Sequence, residues 1–116
     1  MATTAEAFSQ AIQNVTNYML DRSVKVAIGF TCYDAESGAE AYFQANLLPG
    51  YATALAAFAG NSNVVAGANL RTALGVLAVS PSSGAGLQSD TLHMNDAAYV
   101  LASEAWRDAL VAASWI

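Results

Sequence analysis

Charge is the scarcest property of this chain. Of 116 residues only four are Lys or Arg and nine are Asp or Glu, so charged side chains make up 11%, against roughly a quarter in an ordinary soluble protein. The basic residues Arg22, Lys25, Arg71 and Arg107 form no cluster, and the net charge is −5. That excludes the phosphate-neutralising patch that nucleic acid or an anionic membrane surface requires. Cys32 is the one cysteine, so no disulfide can close within the chain, and its simplest role is that of a small apolar residue on a buried face. His93 is the one histidine, which rules out a multi-histidine metal centre in a single copy and leaves Cys32 with His93 short of a structural zinc set.

Long apolar runs are missing too. The most apolar region, 47–79, is broken by Pro49, Gly60, Asn61, Ser62, Asn63, Asn69 and Arg71, well below the ~20 residues of a membrane span. The first residues lack the basic start and apolar stretch of a secretion signal, because Gln10, Gln13, Asn14 and Asn17 interrupt Phe8 to Leu20. The expectation is a chain with no membrane or nucleic-acid partner and no cofactor, placed in the cytoplasm or in a virion.

What is abundant is alanine and uncharged polar residues, with hydrophobic residues at 55%. Such side chains enter subunit contacts at small desolvation cost, whereas charges keep copies apart. A closed homo-oligomer follows as the expectation. The length fits one domain, 1–116, with a single core.

Along the chain, Thr3 with Glu6 has the spacing of a capping box and starts a helix. Phe8, Ile12, Val15 and Met19, with Ala11 and Tyr18, make its apolar stripe, and Gln10, Gln13, Asn14 and Asn17 its uncharged polar face. Val24, Val26, Ile28, Phe30 and Cys32 alternate with Lys25, Ala27, Gly29, Thr31 and Tyr33, which predicts a strand over 24–33. Its partner would come from 42–48, from 74–80 or from another subunit.

Residues 34–38 read as a turn, and Pro49 opens a helix that runs to Phe58 and ends at Gly60. Asn61 or Ser62 then caps a second short helix with Val64, Val65, Ala68 and Leu74 inward. Residues 80–91, rich in Ser, Gly and Pro, read as a long loop. Asn95 caps a helix to about Ser114, with Tyr99, Ala102, Trp106, Ala109, Leu110 and Ala113 on its apolar side and a Glu104–Arg107 pair on its wet side. The fold class is mainly α with a minor β element: an N-terminal helix, one strand, a short helical hairpin, a long loop and a C-terminal helix. The alternative is α+β with a two- or three-stranded sheet.

Chemistry-bearing constellations are sparse. Asp34, Glu36 and Glu40 around Gly38 lack EF-hand spacing and read as a solvated acidic turn. Gly84 and Gly86 have no preceding strand and no following Lys, which a phosphate loop needs. No nucleophile elbow surrounds any serine. A small enzyme would have to use His93 with Asp90 or Asp96.

The sequence therefore favours a non-enzymatic structural or assembly subunit, as in a virion or comparable shell, which associates with copies of itself and with other assembly subunits. Its expected interface is Gln10, Gln13, Asn14 and Asn17 together with Trp115 and Ile116, an apolar end whose Ile side chain left in water would forgo roughly 1.5 to 3 kcal/mol of burial. The alternative is a small-molecule binding module with a pocket lined by aromatics such as Tyr18, Phe30, Phe43, Phe58, Tyr99 and Trp106.

Overall fold

A computed structural model describes residues 4–31, 38–74 and 95–116. Cys32, Tyr33, Asp34 and Glu36, the predicted 80–91 loop with Gly84, Gly86 and Asp90, and His93 lie outside the described residues. Helices hold 66% of what is described, beside one small two-stranded parallel sheet, so the chain is mainly α with a minor β element. In order come α1 (Ala5–Leu20), β1 (Val26–Phe30), α2 (Ala39–Tyr42), a π-helical turn (Phe43–Leu47), α3 (Leu48–Ala57), β2 (Val64–Asn69), α4 (Leu70–Leu74) and α5 (Asp96–Ala112). The chain divides into two compact units, Met1–Ile28 with Ala41–Ala66 and Gly29–Glu40 with Gly67–Ile116. Each strand contributes residues to both.

In the first unit α1 packs on α3 and on the π turn. The α1 N-cap is Thr4, whose Oγ1 accepts from the Ala7 amide at 3.1 Å, one residue later than the predicted start. Gly50 and Ala54 are the buried positions of α3, one turn apart. A Cβ added to Gly50 would lie 2.7 Å from Phe8 Cδ1 and 2.9 Å from the Ala5 carbonyl oxygen, so the two helices touch here backbone to side chain. The Phe8 ring stands edge-on to Tyr51, with centroids 5.0 Å apart and planes at 89°.

The predicted Pro49 helix is present, and Gly60 ends it in the left-handed conformation at φ +83°. Residues 39–48 are helical with one wide turn. The cause sits at Pro49. Its ring would press on the carbonyl four residues back, and it has no N–H to offer that carbonyl. One residue earlier, the Leu48 amide bonds to Phe43 O, an i to i−5 step that widens the helix. The Asn46 side chain donates to Tyr42 O at 3.2 Å, giving that carbonyl a side-chain donor.

Residues 64–69 correct the sequence reading. They form β2, not a helix, and β2 pairs with β1; of the expected sources, 42–48 is helical and 75–80 lies outside the described residues. Val64 and Val65 are β-branched and Gly67 costs about 1 kcal/mol in a helix, so local helix preference was weak. The Asn61 side chain accepts from the Asn63 amide at 2.9 Å, making a turn in place of a helix cap. Val64 and Ala68, on one face of the strand, are buried. Among the described residues the predicted helical hairpin is absent, and the helical run of residues 39–57 lies between the two parallel strands in sequence.

In the second unit, Leu74 of α4 packs with Ala98 of α5, flanked by Leu70 and Leu101. Asn69 Oδ1 accepts from the Thr72 amide at 3.1 Å to start α4. Buried Arg71, only 9% exposed, pairs with Glu40. Asn95 caps α5 as predicted, its Oδ1 accepting from the Ala98 amide at 3.0 Å. Gly29 and Gly67 lie under the Trp106 indole, with no room for a Cβ on either. Tyr99, expected inward, is exposed, and Arg107 pairs with Asp108 rather than Glu104, at 2.8 Å from Nη2.

Helices α1 and α5 end alike. Ser23 and Ser114 hold φ near +60°, with Val24 N bonded to Met19 O and Trp115 N to Leu110 O, the closure usually made with glycine. The left-handed conformation costs a non-glycine residue roughly 1 kcal/mol. Ser114→Gly is therefore expected to raise stability by about 0.5 kcal/mol after the extra chain entropy of glycine is subtracted. A thermal melt of the two proteins checks it, and a lower Tm would contradict the strain.

Candidate functional site

The outer surface of α1 carries the residues most out of place for a lone molecule. The inward face of this helix is Ala5, Phe8, Ser9, Ile12, Gln13, Thr16, Met19 and Leu20, all buried or half-buried, with Ser9 and Thr16 the most buried. Gln13 turns inward with them, donating from Nε2 to Ser9 Oγ at 3.0 Å.

That rotation corrects the predicted stripe. Phe8, Ile12 and Met19 face the core, but Val15 is 64% exposed, Tyr18 is 56% exposed and Ala11 is exposed beside them. With Ala7, they form an apolar strip along the outside of the helix. Beside it runs a second strip of exposed amides, Gln10, Asn14 and Asn17, in which Gln10 Nε2 donates to Asn14 Oδ1 at 2.9 Å. Glu6 is the one charge on α1. At the far end Arg22 caps the strip: its guanidinium carbon sits 3.5 Å from the Tyr18 ring centroid and Nη1 donates to Tyr18 O at 3.0 Å. Tyr18 is thereby held in place while still facing water.

The apolar strip borders a groove of about 360 Å³ whose walls are Ala11, Ile12, Val15 and Thr16 of α1 and Val26, Ala27 and Ile28 of β1. Among the described residues no charged or aromatic side chain belongs to those walls. No family model, no curated protein and no solved structure matches this chain. Function is read from its own surface.

Of the six residues expected at an interface, Gln10, Asn14 and Asn17 share the exposed amide strip, and Gln13 lies on the other side of the helix. Trp115 is half-buried, its backbone N–H donating to the Leu110 carbonyl, and Ile116 is 70% exposed. Both belong to the second unit. Sequence reasoning missed Ala7, Ala11, Val15 and Tyr18 as surface residues. The available signal was Ser9 and Thr16, two small hydroxyl residues seven apart on one helix face, which are buried while Val15 and Tyr18 stay outside.

Among the described residues no three His, Cys, Asp or Glu side chains gather to hold a metal ion, and no helix is long and apolar enough to cross a membrane. Tyr51, against Phe8, has its phenol pKa raised by burial. The neutral form is thus favoured by folding, a contribution fully present below the ordinary tyrosine pKa of about 10 and lost as pH rises through the higher folded value. Urea unfolding between pH 9 and 11.5 should show stability falling at the alkaline end, and Tyr51→Phe should flatten that fall. An unchanged slope in the variant would assign the loss elsewhere.

Proposed function

We propose that this chain is a non-enzymatic assembly subunit that associates with copies of itself through the outer face of α1. The observation that carries the reading is the exposed apolar strip of Ala7, Ala11, Val15 and Tyr18, flanked on one side by the uncharged amides of Gln10, Asn14 and Asn17 and on the other by the groove against β1. An apolar centre, a polar rim and depleted charge are the composition of a subunit contact. Tyr18, pre-ordered by Arg22, would enter it with little further loss of side-chain entropy. A particle shell, built from many copies of one small chain, is the assembly such a surface serves. On this reading Gln10, Asn14 and Asn17, all exposed, take part in the contact, inward-turned Gln13 does not, and exposed Ile116 would make a separate apolar contact from the second unit.

A ligand-binding role finds less support. The groove has the volume of a small-molecule site, but among the described residues its walls hold none of the aromatics that reading called for.

Light scattering across a concentration series tests the proposal. The protein should show a mass above that of one 12.0 kDa chain, rising with concentration. Val15→Asp places a charge in the strip and forgoes roughly 1.5 kcal/mol or more of side-chain burial per contact, so self-association should weaken by about tenfold or more. Because Val15 is exposed in the single chain, the Tm at low concentration should stay unchanged. A chain that remains monomeric at high concentration overturns the proposal, and an assembly indifferent to Val15→Asp moves it to another surface.

A further inference from the structure

We draw no further inference here: the strongest candidate, the apolar groove between α1 and β1 with walls from Ala11 to Thr16 and from Val26 to Ile28, belongs to the surface on which the proposed self-association already rests, and nothing in the structure shows what other molecule covers it.

Discussion

Gly29→Ala is expected to lower stability by about 3 kcal/mol, at the upper end of what overpacking costs. The added Cβ would lie 2.8 Å from the Ala68 carbonyl oxygen and 2.8 and 2.9 Å from two ring carbons of Trp106. Contacts that short must be relieved by movement. The indole could tilt away, but the carbonyl belongs to the neighbouring strand and can retreat only if the β1–β2 pairing opens. For a chain of this size the loss corresponds to a Tm lower by about 10 °C.

A contrast with Gly67→Ala isolates the cause. There the two nearest atoms, both at 2.6 Å, are Trp106 ring carbons, and the backbone contact, Gly29 N, is looser at 3.1 Å. Trimming the ring with Trp106→Leu should therefore recover part of the Gly67→Ala loss and little of the Gly29→Ala loss, which a double-mutant cycle reads directly. Equal coupling at both positions would mean that the ring alone, and not the strand backbone, sets the spacing. A Gly29→Ala protein that melts with the parent would remove this account of the sheet.

The second large effect is expected at Gly50, where local and tertiary terms oppose each other. Within a helix, replacing glycine by alanine gains about 0.5 to 1 kcal/mol. Here the new methyl would meet Phe8 Cδ1 at 2.7 Å and the Ala5 carbonyl oxygen at 2.9 Å. Phe8 is held edge-on by Tyr51 and Ala5 O is part of the α1 backbone, so relief requires α1 to move off α3. The packing loss should win, leaving Gly50→Ala about 1 to 2 kcal/mol less stable. A lower urea midpoint with an unchanged slope is the expected signature. A gain in stability would show that helix preference decides this position and that the two helices are less tightly apposed.

Gly50 also bears on why the site was only partly legible. From Phe8, Ile12 and Met19 the helical nature of α1 follows by periodicity alone, but periodicity leaves its rotation about the axis open wherever several faces are uncharged. With one charged residue on the whole helix, no ring of lysines or glutamates marked the wet side. Rotation was decided by packing on α3, where Gly50 admits Phe8 and the Ala5 carbonyl while Val15 and Tyr18 stay outside. The amides at 10, 14 and 17 were placed correctly because they fall outward under either rotation, whereas Gln13 sits at the margin and went in.

Local chemistry by itself determined the elements whose ends carry their own signals. Asn95 starts α5, Pro49 and Gly60 bound α3, and the alternation around Ile28 makes β1, each through side chains within a few residues of the effect. Tertiary structure decided what depends on partners distant in the chain. Val64–Asn69 became a strand because β1 offered backbone groups to pair with, and Gly67, poor in a helix, suits a site pressed against Trp106. Hydrogen bonds and caps act over one helical turn, so a sequence displays them. Which face of a charge-poor helix is buried, and which strand pairs with which, depends on the shape of whatever arrives from elsewhere in the chain, and that shape exists only once the chain has folded.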